Sequence, residues 1–170
     1  MSTGTSTATH LVTRVHTATH LSNAVAGAIA DILSRLGISS RQLMADWPRE
    51  YDPAIRAWIE EGSLASVWVE CTQPRGTIEP IFEFPIEYFD DGSVELSHRH
   101  VALARQWVKI NSVPSGTTVS VKCRYTGAHT PQLGWGPCEL APTAHLQRVN
   151  FGTLAAGPYA SASVRMWTTK

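Results

Sequence analysis

The sequence predicts an α+β fold in which an antiparallel sheet is backed by helices on one face. Apolar and polar residues alternate along residues 64–89 and again along residues 117–125, which is the pattern of half-buried strands. Before and between these stretches, along residues 13–61 and 93–111, apolar residues recur instead with the period of an α-helix. The resulting order is helix, helix, strand, strand, helix, strand.

The first helix is predicted from about Thr13 to Leu36. Its apolar residues share one face, while His16 and His20 lie on the opposite, polar face. Gly37 is expected to end this helix, because glycine readily adopts the left-handed conformation that follows a helical C-terminus.

Two shorter helices are predicted before the sheet. Ser39 and Gln42, three residues apart, form a candidate capping box for the first of them. Asp52 and Pro53 predict the start of the second, with the aspartate as N-cap and the proline at the first helical position. Gly62 predicts its end.

Three strands are predicted for the sheet. The first two form a hairpin over residues 64–89, and its turn QPRG at residues 73–76 has the proline and glycine positions of a type I turn. The third strand covers residues 117–125. Its side chains on one side are Val119, Val121, Cys123 and Tyr125.

Residues 93–111 are predicted to form a central helix. On a helical wheel its apolar residues occupy an arc of about 200°, whereas a helix lying on one sheet needs little more than about 100°. We therefore expect this helix to lie between the sheet and a later part of the chain.

Residues 127–170 follow no regular pattern until a final strand at about residues 159–168. This segment is too apolar for a solvated tail, so we expect it to pack against the core. The chain is thus interpreted as one domain with a flexible N-terminal tail (1–12), a core (13–126) and a C-terminal segment (127–170).

The composition argues against several classes of partner. The 14 basic and 14 acidic residues give a formal net charge of zero, so the chain lacks the field that would attract nucleic acid or an anionic membrane. Neither a signal peptide nor an apolar run of membrane-spanning length is present in the sequence. We expect a soluble, cytoplasmic protein without a direct nucleic-acid or membrane partner.

The sequence offers little for catalysis. His16 and His20 have the spacing of a zinc-binding helix, but Thr17 stands where a metalloprotease needs glutamate, and no third ligand is evident. The cysteines, interpreted as buried structural thiols, are Cys71, Cys123 and Cys138. We therefore predict a non-enzymatic protein without cofactor or metal. A hydrolase or transferase using one of these cysteines and a structural assembly protein are the alternatives from other classes.

Four stretches together resemble the HORMA domain, and in particular the bacterial HORMA proteins of cyclic-oligonucleotide (CBASS) antiphage systems. They are the Thr-rich start, ADWPREYDPAIRAWIEEGSLASVWVE, EFPIEYFDDGS and the ending GPYASASVRMW. The resemblance implies that residues 127–170 are a safety belt, which moves between open and closed arrangements and traps a closure-motif peptide. It also implies three partners, namely a CD-NTase-type nucleotidyltransferase, an AAA+ ATPase that reopens the belt, and in some systems a second HORMA protein.

The predicted function is therefore a peptide-binding switch whose closed form activates a cyclic-oligonucleotide synthase in antiphage defence. A peptide can bind as an added strand that satisfies the backbone of a sheet edge. The candidate peptide-binding residues are Trp135, Phe151, Tyr159, Val164, Met166, Trp167, Leu103, Trp107, Val119 and Val121. The alternative within the family is a HORMA protein that donates a closure motif to another, with the Ser/Thr-rich start as one candidate.

Overall fold

The computed structural model describes residues 3–89 and 95–169, apart from the side chains of residues 3–12, 101, 108 and 109. The described elements form a six-stranded sheet with helices packed on one of its faces, which confirms the predicted α+β class. No helix in these ranges is long and apolar enough to cross a membrane.

Helix α1 (Thr3–Leu36) begins ahead of the predicted start near Thr13. The Ser and Thr residues at its beginning do not continue the apolar stripe on which the prediction depended. Gly37 ends α1 as expected, with a φ of 82°, and the amide of Ile38 donates to the carbonyl of Leu33 at 2.9 Å. The buried side chains of α1 include Ala18, Leu21, Val25, Ile29, Ile32 and Leu33.

The next two helices are α2 (Arg41–Asp46) and α3 (Asp52–Glu61), separated by a π-helical turn (Trp47–Tyr51). The predicted capping box is wrong. The N-cap residue of α2 is Ser40, and its side chain makes no capping hydrogen bond. Asp52 does not cap α3 either. Its carboxylate accepts instead from the hydroxyl of Ser22 at 2.6 Å and pairs with Arg56 at 2.9 Å, since α1 lies close enough to offer a donor.

The sheet runs in the order β3-β5-β6-β2-β1-β4, with every pairing antiparallel. Its strands are β1 (Leu64–Thr72), β2 (Ile78–Tyr88), β3 (Ser97–His98), β4 (Thr118–Tyr125), β5 (Gln147–Ala156) and β6 (Ala160–Thr168). The predicted hairpin, its turn and the strand at 117–125 are confirmed as β1, β2 and β4. The amide of Gly76 closes the turn on the carbonyl of Gln73 at 2.8 Å.

The predicted central helix over residues 93–111 is wrong. Its start, residues 93 and 94, lies outside the described residues, and the rest divides into β3, helix α4 (His100–Ala104) and a 3₁₀ turn (Gln106–Lys109). The amide of Arg99 donates to the carbonyl of Leu154 at 2.8 Å, so pairing with β5 takes this stretch out of the helix. Leu103 and Trp107 are nevertheless buried in the core, as their apolar pattern indicated.

The C-terminal segment is more regular than predicted. Residues 127–146 lack strand or helix, and β5 and β6 then form a hairpin, of which β6 pairs with β2. The final strand was expected, whereas β5 was not. Register shifts at Asn150/Gly152 and at Thr153/Ala155 interrupt the alternation of β5, so its sequence does not show the period of a strand.

The two faces of the sheet differ in character. The face toward the helices carries Val67, Val69, Phe82 and Phe84, which belong to the main hydrophobic core. Adjacent strand residues point to opposite faces, so Trp68, Glu70 and Glu83 lie on the other side, which we call the outer face. These three are also buried. The outer face is therefore covered by something other than the helices.

Candidate functional site

Strand β4 forms one end of the sheet, and the chain that follows it wraps around this edge. We call residues 127–146 the strap. Its first half lies beside α3 on the helical side, where Thr130 and Trp135 contact Trp58. Its second half lies on the outer face, where the amide of Ala141 donates to Glu70. In the described structure no backbone hydrogen bond joins the strap to β4, so the outer edge of β4 keeps its backbone groups available.

The first attachment of the strap is centred on Thr130, and we call it the helix-side anchor. The Thr130 hydroxyl and amide donate to the carboxylate of Glu61 at 2.7 and 3.1 Å, and the Thr130 carbonyl accepts from the indole N–H of Trp58 at 2.8 Å. Hydrogen bonds from the hydroxyls of Thr130 and Ser63 lower the pKa of Glu61. The anchor therefore depends on an ionised carboxylate.

Aromatic rings continue this attachment along the helical side. The His129 ring stacks on Tyr125 with 3.5 Å between centroids, and Trp135 packs edge-on against Trp58 at 5.2 Å and against Tyr51 at 5.8 Å. The indole N–H of Trp135 donates to the backbone carbonyl of Glu50 at 3.2 Å. Burial raises the pKa of Tyr125. The first half of the strap is thus held by ring packing as well as by the hydrogen bonds of Thr130.

The second attachment, which we call the outer-face anchor, is ionic. Glu70 is 2% exposed; one of its oxygens pairs with the ammonium of Lys122 at 2.8 Å and the other accepts the amide of Ala141 at 2.9 Å. Lys122 also donates to the backbone carbonyl of Glu139 at 2.6 Å. One carboxylate and one ammonium on the sheet therefore bind the strap backbone at two points.

A second buried carboxylate lies on the outer face. Glu83, 1% exposed, pairs with the guanidinium of Arg165 at 2.6 Å and lies 3.4 Å from that of Arg124. The indole N–H of Trp167 lies 3.3 Å from the same oxygen that Arg165 contacts. This cluster links β2 to β6 on one side and to β4 on the other.

A pocket of about 520 Å³ lies between β4 and the strap. Trp58, Tyr125 and Trp135 supply aromatic walls, and the guanidinium-bearing Arg124 also lines it. A second pocket, of about 580 Å³, lies on the other side of Trp135 and is lined in part by Tyr51 and Val121. Trp135 lines both pockets, and together they follow the free edge of β4. We call this pair of pockets the channel.

The three cysteines differ in environment. Burial raises the pKa of Cys71 to about 12 and that of Cys123 further still, so both are protonated and unreactive at neutral pH. Cys138 is exposed, which corrects the expectation that all three thiols are buried. It lies in the strap and lines the channel together with Cys123.

The predicted site residues separate into three groups. Trp135 and Val121 line the channel, and Val119 lies on the same strand. Trp167 lies on the outer face against Glu83. The others are buried core residues, either in the β5–β6 hairpin or in the segment before β4, and do not line the channel: Phe151, Tyr159, Val164, Met166, Leu103 and Trp107.

The sequence interpretation missed the residues that hold the strap. Glu61 and Glu70 lie in one of the stretches that resemble the HORMA domain, but nothing there marks them as strap contacts, and Lys122 and Thr130 belong to no motif. The spacing of the four residues along the chain does not reveal their proximity. Trp58 is fully buried in the core, and its indole N–H is also part of the helix-side anchor. Glu70 alternates with the inward-facing Val69 and Cys71, which is the usual pattern of a solvent-facing strand residue, so nothing in the sequence indicated that it is buried.

His16 and His20, which have the spacing of a zinc-binding helix, lie in different surroundings. His16 is exposed, and Nε2 of His20 lies 2.6 Å from the carbonyl oxygen of Ser97, within hydrogen-bond distance. His100 is half-buried, with Nε2 3.4 Å from a carboxylate oxygen of Asp31. Within residues 3–89 and 95–169 no group of three or more His, Cys, Asp or Glu side chains could hold a metal ion.

The chain belongs to the bacterial HORMA domain family. The sequence model described as bacterial HORMA domain 2 matches residues 5–170, almost the whole chain. HORMA domains are binding domains, and this assignment agrees with the resemblance that the sequence motifs indicated. Comparison with curated proteins finds no match.

Solved structures of HORMA proteins share the fold. A chain of a mitotic checkpoint complex superposes with a TM-score of 0.73 and 11% identity, covering 90% of this chain and 98% of that one. HTP-2 of C. elegans bound to the HIM-3 closure motif superposes with a TM-score of 0.67 and 14% identity, covering 87% of this chain and 88% of that one. A chain of the CdnC:HORMA-deltaN complex of E. coli MS115-1 superposes with a TM-score of 0.57 and 15% identity, covering 92% of this chain and 89% of that one. At these identities the likeness establishes the fold alone.

Proposed function

We propose that this protein is a peptide-binding switch. Its safety belt consists of the strap and the β5–β6 hairpin, and the ligand is an extended closure-motif peptide that binds in the channel along β4. The observation that carries the proposal is the free edge of β4 enclosed by a strap that is attached on both faces of the sheet. A peptide added to this edge gains backbone hydrogen bonds from β4, and the strap encloses it.

The position of the C-terminal hairpin supports a closed arrangement. β6 pairs with β2, so the hairpin lies on the far side of the sheet from β4 and leaves the peptide edge free. The two anchors then limit escape of a bound peptide, because the strap must detach from at least one of them before the channel opens. Retention therefore depends on the rate at which the anchors release.

We further propose that the closed, peptide-bound form binds and activates a CD-NTase-type nucleotidyltransferase in antiphage defence, and that an AAA+ ATPase reopens it. The complex of an E. coli HORMA protein with CdnC supports the first of these partners. Mixing the purified protein with a CD-NTase-type nucleotidyltransferase that binds it should produce cyclic oligonucleotides only when a bound peptide is present. Synthesis that is independent of peptide, or absent with it, would contradict activation by the closed form.

Peptide binding itself can be tested through Cys138, the exposed thiol in the channel. Twelve-residue peptides selected from a random displayed library should protect this thiol from a maleimide reagent in the full-length protein, because they lie beside it. Trp135→Ala should weaken the selected peptides about tenfold or more, since it removes the wall shared by both pockets. His145→Ala, an exposed aromatic position in the same strap, is the matched control and should leave affinity unchanged. Failure to select any binder, or equal affinity for Trp135→Ala, would refute the channel as the peptide site.

A further inference from the structure

Arg124 has unused capacity to bind an anion at the channel. Its side chain is 51% exposed and lines the first pocket from β4. Its Nε–H lies 3.4 Å from the hydroxyl oxygen of Ser66, and its Nη2 lies 3.4 Å from Glu83. Among the described residues its Nη1 group has no partner. A guanidinium carries five N–H donors in a planar fork, and a carboxylate can accept two of them at once.

The neighbouring charges leave Arg124 as the cation in excess. Glu83 pairs more closely with Arg165, at 2.6 Å, than with Arg124, at 3.4 Å. The other cation of β4, Lys122, is already neutralised by Glu70 and also donates to the strap backbone. On the outer side of β4 the channel therefore offers one incompletely neutralised positive charge.

The residues on either side of Arg124 point to the opposite face. Cys123 and Tyr125 line the apolar part of the first pocket together with Trp58 and Trp135. In a peptide strand added to β4, successive side chains also alternate between the two faces. A peptide side chain apposed to Arg124 is therefore followed and preceded by side chains directed at the aromatic pocket.

We infer that the channel selects peptides in which an Asp or Glu stands directly beside a large apolar residue, with Arg124 binding the carboxylate and the Trp58–Trp135 pocket taking the apolar side chain. This inference rests on the proposed peptide-binding function and adds the sequence preference of the ligand. Arg124 is then a specificity-determining residue. The first 30 residues of the chain contain no Asp or Glu, so they do not fit this pattern.

The test is selection from a random twelve-residue displayed library against three full-length proteins: wild type, Arg124→Glu and Arg75→Glu. Arg75 is exposed in the β1–β2 turn, and its reversal changes the net charge by the same amount as reversal of Arg124. Wild type and Arg75→Glu should enrich an acidic residue adjacent to Phe, Trp, Leu, Ile or Met. Arg124→Glu should replace the acidic preference with Lys or Arg and keep the apolar one.

Synthetic peptides then quantify the effect. Replacing the selected acidic residue with lysine should weaken binding to wild type about tenfold, the loss expected for a charge-assisted hydrogen bond, and should strengthen binding to Arg124→Glu. Selected peptides with an apolar preference but no acidic one, or an acidic preference unchanged in Arg124→Glu, would overturn the inference while leaving peptide binding intact. A library that yields no binder to wild type would overturn both the inference and the proposed function.

Discussion

Both faces of the sheet contain fully buried residues, but different interactions bury them. Val67 and Phe84 on the helical face are fully buried among apolar side chains of the helices. Glu70 and Glu83 on the outer face are 2% and 1% exposed, and their partners are cations and a strap amide. Removing the helices would expose hydrocarbon to water, whereas detaching the second half of the strap from the outer face exposes Glu70 and Lys122, which water solvates well. One domain thus combines helices that stay packed on one face of the sheet with a strap that can detach from the other face.

The energetic reason lies in desolvation. Burial removes the hydration of both charges of an ion pair, and their Coulomb attraction compensates this loss only in part, so such a pair adds little net stability. Removing one partner is nevertheless strongly destabilising, because the other charge is then buried alone. Burial of apolar area is favourable throughout, at about 25 cal/mol per Å². A strap held over Glu70 and Lys122 is thus specific in position, while its detachment costs less than the opening of an apolar interface of equal area.

The largest expected effect is on the helical face. Phe84→Ala removes a fully buried ring from the core and should lower the free energy of unfolding by about 3–5 kcal/mol, as large-to-small core substitutions do. Chemical denaturation followed by tryptophan fluorescence measures it. Leu96→Ala, at a half-exposed position, is the control and should change stability by less than about 0.5 kcal/mol. A loss below about 1 kcal/mol for Phe84→Ala would contradict the assignment of this face to the permanent core.

A smaller, local effect is expected on the outer face. Glu70→Gln removes the charge that holds Ala141 and Lys122, so the strap should open more often while the core stays folded. Hydrogen exchange at the Ala141 amide should become about tenfold faster, corresponding to the loss of a hydrogen bond to a charged group. Exchange in β1 and β2 serves as the internal reference. Lys122→Met should lower the free energy of unfolding less in the Glu70→Gln variant than in wild type, because the two residues interact.

The smallest effect concerns the helix-side anchor and pH. The pKa of Glu61 is lowered in the folded protein, so this carboxylate stabilises the anchor fully at pH values above its ordinary 4.5 and the stabilisation is lost as the pH falls through the lowered value. Thr130→Val removes the hydroxyl that lowers this pKa most. An NMR titration of Glu61 should give a higher pKa in Thr130→Val than in wild type. Identical values in the two proteins would show that the Thr130 hydroxyl does not bind Glu61 in solution.

The sequence correctly predicted several strands, helix ends and a turn. The alternation of Val67, Val69 and Phe84 predicted strands, Gly37 and Gly62 predicted helix ends, and the turn at residues 73–76 was placed correctly, because each depends on neighbouring residues only. The HORMA family was also indicated by motifs in the sequence. Trp135 was predicted to contribute to the candidate site because a large apolar residue in an irregular segment needs a partner.

Tertiary contacts decided the remainder. Pairing of Ser97 with Ala156 and a hydrogen bond from Arg99 to Leu154 broke the predicted central helix, although its apolar pattern was clear. The strap is held by Thr130 on Glu61 and by Ala141 on Glu70, pairs that are 69 and 71 residues apart in the chain. No periodicity encodes such pairs, since their proximity follows from the sheet order that places β4 at an edge.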